Sequence, residues 1–226
     1  MFDELVRKLY QNLIESDRWM LLLKGLGNTL LIALCAILIG TVLGCVFALM
    51  KVSRFKVLRG IASVYTTVIR GIPVVTQLMI FYFVVFAPFG WDSLLVAIIG
   101  FGVNSGAYVC EIFRAGIQGV DAGQMEAGRS LGLSNSQTLR KIILPQAIKA
   151  VLPTYTSEFI ALIKETSVAS YITVVDLTKA SDQIRNATYE AWVPLLAVAI
   201  IYLILTLGLT KLFSIFERRL ARSDRG

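Results

Sequence analysis

The sequence predicts an all-α integral membrane protein with five transmembrane helices. Of its 226 residues, 56% are hydrophobic and only 16% are charged, which is far too apolar for an ordinary soluble domain. Long uncharged runs alternate with short charged segments, and about 20 apolar residues suffice to cross a bilayer. The predicted spans are residues 26–50, 71–91, 93–110, 147–163 and 191–210.

The composition excludes several functional classes. The net charge of +7 comes without a basic stripe interleaved with aromatic residues, so we expect no nucleic-acid partner. Histidine is absent, which removes Ser-His and zinc-His arrangements, and we predict neither an enzyme nor a metal site. A paired-carboxylate protease built on Glu111 and Glu158 is the remaining enzymatic alternative. We expect the three cysteines to be packing residues, because Cys35, Cys45 and Cys110 lie inside apolar runs.

Charge predicts the orientation of a multi-pass protein in the inner or plasma membrane. Three segments carry net positive charge: 51–59, 111–149 and 211–226. The segments between them carry net negative charge: 1–18, Asp92 and 165–190. The positive-inside rule then places the N-terminus outside and the C-terminus in the cytoplasm. Residues 1–18 have apolar residues at helical spacing and are predicted to be extracytoplasmic or interfacial, whereas residues 220–226 form a cytoplasmic tail.

Residues 121–145 form a long polar segment with helix signals of its own. Two patterns typical of capping boxes begin at Asp121 and Ser134, and Gly132 suits the left-handed position after a helix end. We predict two short helices joined by a tight turn, with the second helix limited by Pro145.

Gly128 and Gly132 lie four residues apart on the first of these helices. They leave one helix face nearly flat, which favours close docking of another protein. The alternative is a solvated cytoplasmic loop that happens to be helical.

The same segment carries a family motif. Its residues follow the spacing E-A-A, three residues, G, nine residues, I-x-L-P: Glu126, Ala127, Gly132, Ile142, Leu144 and Pro145, with Gly128 in place of the second Ala. This motif resembles the EAA loop of the membrane subunits of type I ABC importers. The resemblance implies that 121–145 is a coupling helix seated in the ATP-hydrolysing subunit. It also assigns the coupling residues: Glu126, Ala127, Gly128, Gly132 and Leu133.

The resemblance extends over residues 22–219. RGIPVVTQ at 70–77, GAYVCEIFRAGIQ at 106–118 and EFIALIKETS at 158–167 are similar to the polar amino acid permeases, relatives of histidine, arginine and glutamine uptake systems. This similarity implies the type I importer membrane fold over a transmembrane domain. The implied partners are ABC ATP-binding subunits, a second copy or a paralogous permease, and an extracytoplasmic amino-acid-binding protein. The chain has no phosphate-binding P-loop motif, so ATP and Mg are expected on the partner and no cofactor here.

Polar residues inside the predicted spans are costly in lipid and normally face a bundle interior. They recur at helical spacing on spans three and four, and on span two they lie near Pro73, which can kink the helix and free carbonyls. We predict that six of them line a substrate site: Arg70, Gln77, Asn104, Tyr108, Glu111 and Glu158.

Each candidate has a structural alternative. Arg70 and Lys164 can snorkel to the membrane surface, Asn104 can join helices, and Glu111 can pair with Arg114. The substrate is expected to be a polar amino acid, with a cationic one favoured by Glu158 and a neutral one still open.

Three further expectations concern packing and coupling. Gly40 and Gly44 are predicted to let a neighbouring helix approach span one closely. Residues 165–189 are expected to be an external gate, a re-entrant piece or an interfacial loop. An ion-driven carrier or channel, not coupled to ATP, is the alternative function, but it leaves the EAA-like motif unexplained.

Overall fold

The computed structural model describes the backbone of residues 2–222 and the side chains of residues 3, 4 and 6–218. Within these residues the chain is helical and has no strand, which confirms the predicted fold class. The α-helices are α1 (Phe2–Leu9), α2 (Trp19–Val52), α3 (Lys56–Gly71), α4 (Val74–Ile80), α5 (Ser93–Gly119), α6 (Ala122–Ser130), α7 (Asn135–Thr138), α8 (Leu144–Glu165), α9 (Leu177–Thr188) and α10 (Trp192–Arg222). The predicted tail, 220–226, falls partly on the end of α10 and otherwise lies outside the described residues.

Helices α2 and α5 form the centre of the bundle and run in the same direction. Gly40 contacts Ser105, and four residues further on Gly44 contacts Val109. A Cβ atom built on Gly44 would lie 2.5 Å from Cγ1 of Val109, so only glycine permits this approach. The predicted small-residue face of the first span is confirmed, and it packs within the chain.

The remaining helices alternate in direction around this pair. The rings of Phe113 on α5 and Tyr155 on α8 stack at 5.8 Å, and those of Phe159 on α8 and Phe213 on α10 meet edge to face at 5.9 Å. A Cβ atom at Gly116 on α5 would also meet Val151 on α8, and the Thr156 hydroxyl on α8 donates to Glu217 on α10 at 2.7 Å, so α8 is antiparallel to both neighbours. With α3 and α4 returning the chain from α2 to α5, the polypeptide passes through the bundle five times.

Three helices are long and apolar enough to cross a membrane by themselves: α2, α5 and the described part of α10. Helix α8, on which the fourth predicted span falls, does not meet that criterion, and its residues include the charged Lys149 and Glu158. Its place in the bundle, rather than its hydropathy, makes it the fourth pass.

The second predicted span, 71–91, is broken at its start, beside Pro73, which was expected to kink it. Helix α3 ends at Gly71, and the chain bends by 104° before Val74–Val85. Ile72 is extended, with φ −109° and ψ 134°, because the Pro73 ring disfavours a helical residue before it. The pass is therefore built from two helices with a break between them.

Pro145 does not end the second short helix, contrary to the sequence prediction. A π-helical turn, Leu139–Ile143, follows α7 and leads directly into α8, where Pro145 occupies the first turn. The amide of Leu144 bonds to the carbonyl of Leu139, five residues back. Because the first helical turn needs no internal donor at Pro145, the proline is tolerated there.

Residues 166–189, which we call the connecting segment, pack into the bundle instead of lying on its surface. A 3₁₀-helix, Thr166–Ile172, precedes α9. Asn28 on α2 donates to the carbonyl of Val175 at 2.8 Å, and the hydroxyl of Thr29 accepts from the amide of Leu177 at 3.2 Å. The segment is therefore attached to α2, and both its gating role and its interfacial placement stay predictions.

Candidate functional site

The break between α3 and α4 is held by a buried glutamine. The Nε2 atom of Gln77 donates to the carbonyl of Ile69 at 2.5 Å and to that of Ile72 at 2.7 Å. These are carbonyls that the missing helical bonds around Pro73 leave free. Asn104 on α5 donates to Oε1 of Gln77 at 3.3 Å. The two side-chain amides therefore bond the free carbonyls at the break and connect the break to α5. Most of their hydrogen-bonding groups are used in these contacts.

Arg70 lies at the end of α3, beside the break. Its guanidinium carbon is 5.2 Å from the ring centroid of Tyr108 on α5, which is cation–π distance. The Arg70 side chain is exposed, so its donors are open to a ligand. The structure thus brings four of the predicted site residues together on facing elements: Arg70, Gln77, Asn104 and Tyr108.

Glu158 faces this group from α8. Its half-buried carboxylate lies beside the Ser105 hydroxyl and within electrostatic range of Arg70. The Ser105 hydroxyl is buried and has no well-formed hydrogen bond within the described residues. A carboxylate and a guanidinium therefore share one region of the bundle, and an amino acid carries groups complementary to both.

Glu111 stands apart from these residues. Its carboxylate pairs with Lys51 on α2 and accepts from Nε of Arg114 at 2.8 Å. The ion pair with Arg114, which the sequence allowed, is present. Asn104 and Glu111 lie on one stripe of α5, but seven residues separate them by about 10 Å along the helix axis. A substrate role for Glu111 stays a prediction.

The predicted coupling segment has the local structure that its caps indicated. The Asp121 carboxylate accepts from the amide of Gly123 at 2.6 Å, and Ser134 forms a complete capping box with Gln137. Gly132 has φ +81° and ends α6 as predicted. In the described part of the chain, the side chain of Gln124 makes no return bond, so only the second box is complete.

The turn between α6 and α7 is a Schellman motif. The amide of Leu133 bonds to the carbonyl of Gly128 at 3.1 Å, and that of Gly132 bonds to Arg129 at 3.0 Å. The paired bonds fix the angle between the two short helices.

The predicted flat docking face is wrong at Gly128. This residue is buried against α7, and a Cβ atom on it would lie 2.4 Å from Cγ2 of Thr138. Its small size serves the packing of α6 on α7 within the chain. The other predicted coupling residues lie nearer the surface. Glu126, Ala127 and Gly132 are exposed, and Leu133 is half-buried.

Two residues of functional interest were not predicted. Ser105 was hidden because a serine between Asn104 and Gly106 has no distinctive spacing. Leu131 carried a usable signal, because it is an apolar residue within a polar segment, next to the helix-ending Gly132. It is 79% exposed at the tip of the coupling segment.

A membrane bundle with a broken helix, an internal polar group and an exposed helical segment defines this chain as a membrane component of a transport system. Residues 23–222 match the family described as "binding-protein-dependent transport system inner membrane component", and the chain belongs to that family. The type I importer fold is confirmed by the solved structures that it resembles.

Named relatives are similar over nearly their whole length. The arginine transport system permease protein of Bacillus subtilis is 39% identical, with 90% of this chain and 94% of the relative covered. A putative glutamine transport system permease protein of Rickettsia bellii is 36% identical, with 94% and 99% covered. The L-cystine transport system permease protein of Bacillus subtilis is 36% identical, with 93% and 91% covered.

Two solved structures show the same architecture. An amino acid ABC transporter crystallised with histidines has a TM-score of 0.83 at 43% identity, covering 88% of this chain and 94% of its own. A methionine ABC transporter in an inward-facing conformation has a TM-score of 0.80 at 21% identity, covering 91% and 99%, and supports the fold alone.

Proposed function

We propose that this chain is the permease subunit of an ATP-driven importer for polar amino acids. The observation that carries the proposal is the placement of the Glu158 carboxylate within electrostatic range of the Arg70 guanidinium in a membrane bundle. The relatives named for arginine, glutamine and cystine transport support the substrate class.

The arrangement suits an amino acid held partway across the membrane. Glu158 lies 13 residues after Pro145, about 20 Å along a helix into a hydrocarbon core of roughly 30 Å. Its carboxylate is placed to pair with an ammonium or guanidinium group, and Arg70 is placed to meet the substrate carboxylate. Gln77 and Asn104 position Arg70 by fixing the break on which it lies.

ATP hydrolysis is assigned to a separate ATP-binding subunit, which the exposed tip of the coupling segment contacts. Leu131 supplies the apolar anchor of that contact, with Glu126 and Ala127 beside it. ATP binding and a loaded extracytoplasmic binding protein then bias the bundle from inward-facing to outward-facing. Shifting a population from 1:99 to 99:1 takes about 5.5 kcal/mol of differential binding, which these two partners share.

The test of the substrate site is uptake by the assembled transporter in proteoliposomes. Glu158→Gln is expected to lower arginine uptake at least tenfold while affecting glutamine uptake less, because only the cationic side chain loses its charged partner. Asp182→Asn, which removes a half-buried carboxylate paired with Arg185 outside this site, is the matched control. Arginine uptake by Glu158→Gln at the wild-type rate contradicts the contact.

ATP dependence separates the proposal from an ion-driven carrier or channel. Uptake is expected to require ATP on the coupling-segment side and to persist when ionophores collapse the ion gradients. Uptake that continues without ATP and follows an imposed gradient contradicts the ATP-driven function.

A further inference from the structure

The N-terminal segment presents an unpartnered apolar stripe. Val6, Leu9, Tyr10 and Ile14 are all exposed, and their spacing places them on one side of the helical segment that begins with α1. A stripe of this kind on a water-facing helix would leave several large side chains in solvent.

The opposite side of the segment is fastened to the bundle. Asn12 is buried, and the Thr188 hydroxyl at the end of α9 donates to its Oδ1 atom at 2.7 Å. Lys8 forms an ion pair with Glu190 at 3.0 Å and lies 5.7 Å from the ring centroid of Trp192. The segment is therefore held in a fixed rotation, with its stripe turned away from the rest of the chain.

The attachment point lies at the end of the bundle that carries the tryptophans. Trp19 begins α2, Trp91 precedes α5 and Trp192 begins α10, and all three are exposed. Because α2, α5 and α10 run in the same direction, these rings lie at one end, together with the exposed Tyr189. Tryptophan and tyrosine concentrate where the hydrocarbon core meets the headgroups.

The first span also carries exposed apolar side chains. Beyond Ile14, exposed apolar side chains follow at Met20 and Leu23 and recur along α2 at Leu31 and Leu34. The chain belongs to a family of inner membrane components, so exposed apolar side chains on α2 are suited to contact with lipid.

We propose that residues 2–14 form a membrane-surface helix at the tryptophan end, with the stripe buried in the lipid interface and the opposite side fastening the connecting segment to it. The occupant of the stripe is the lipid bilayer. Charges in this segment are nearly balanced, with Asp3 and Glu4 against Arg7 and Lys8, so binding does not require anionic lipid. Through Asn12 and Thr188, the end of α9 is tied to the bilayer surface.

The test is spin-label accessibility in the assembled transporter, reconstituted into nanodiscs of zwitterionic lipid. After replacement of the native cysteines, nitroxides are placed at Val6→Cys and Tyr10→Cys on the stripe, and at Glu4→Cys and Arg7→Cys, two exposed charged positions off the stripe. The stripe labels are expected to collide readily with oxygen and poorly with a water-soluble nickel chelate, at a depth of about 5–10 Å. The control labels are expected to show the reverse.

Nickel access at Val6 and Tyr10 equal to that at Glu4 and Arg7 overturns the proposal, because the stripe would then face water. Protection of the stripe labels from both reagents also overturns it, because a second copy or a binding protein would then be the occupant.

The fastening is tested separately with Thr188→Val. This variant removes the hydroxyl that bonds Asn12 and is expected to increase the mobility of the Tyr10→Cys label at least twofold. Thr210→Val, which loses a hydroxyl bonded only within its own helix, is the matched control. Unchanged mobility in Thr188→Val overturns the fastening.

Discussion

The connecting segment and the coupling segment are both polar interruptions between apolar helices, yet the structure treats them differently. In the connecting segment the backbone of Asp176 and Leu177 lies directly on α2, and much of the segment is buried. In residues 121–137 of the coupling segment, Gly128 is the one buried residue. The connecting segment is therefore covered by other parts of its own chain, whereas most of the coupling segment is exposed.

The difference indicates where each segment obtains its conformational stability. The connecting segment depends on long-range contacts, such as those from Asn28 and Thr29 to residues nearly 150 positions later. The coupling segment depends on local bonds, namely caps, a Schellman turn and the Gly128–Thr138 contact. A locally built, exposed segment suits a part that must dock on another subunit.

The largest effect on stability is expected from Gly25→Ala, which disrupts the contact between α2 and the connecting segment. Gly25 is buried, and a Cβ atom on it would lie 2.7 Å from the carbonyl oxygen of Asp176. Backbone cannot move aside as a side chain can, so we expect a loss of about 1–3 kcal/mol, measured as a lower unfolding temperature of the purified protein.

Gly27→Ala is the matched control, because nothing lies within 4 Å of a Cβ atom at that exposed position. It is expected to stabilise α2 by up to about 1 kcal/mol. Equal unfolding temperatures for the two variants would show that the connecting segment is not seated on Gly25.

A smaller and more local effect is expected from Gly128→Ala. The added methyl group meets Thr138 and forces α6 away from α7, which displaces Leu131, the proposed docking residue. We expect fewer substrate molecules imported per ATP hydrolysed, with the unfolding temperature of the membrane protein nearly unchanged. Gly119→Ala, at a position with open space, is the control, and an unaltered coupling ratio in Gly128→Ala contradicts the prediction.

The smallest effect is expected from Ser134→Ala, which removes the cap of α7. The loss of its bond to the amide of Gln137 costs about 1 kcal/mol, or roughly fivefold in the local opening equilibrium. Hydrogen exchange at the amides of α7 should accelerate by that factor, without change in the connecting segment. Ser136→Ala serves as the control, and equal exchange in the two variants would contradict the role of the cap.

Much of the fold followed from local chemistry. Uncharged runs of sufficient length predicted the membrane helices, and Ser134 and Gly132 predicted the caps and the turn of the coupling segment, because these signals act over a few residues. The spacing of Gly40 and Gly44 also predicted close helix packing, although the partner helix was not identifiable.

Other features were decided only by the tertiary structure. Pro73 indicated a kink, but the 104° bend exists because Gln77 and Asn104 satisfy the freed carbonyls from another part of the chain. The sequence predicted that Gly128 lies on a docking face, whereas in the structure it packs against Thr138. Ser105 gains its importance from Glu158, which lies 53 residues away in sequence.

The sequence by itself determined the class of the protein, because hydropathy, charge and capping are properties of neighbouring residues. The tertiary structure decided which polar residues share a site and which form ion pairs. Glu111 and Glu158 illustrate this division. Both are carboxylates inside apolar helices, but the packing of α2 gives Glu111 the ammonium of Lys51, whereas the packing of α8 on α5 leaves Glu158 beside the Ser105 hydroxyl and within electrostatic range of Arg70.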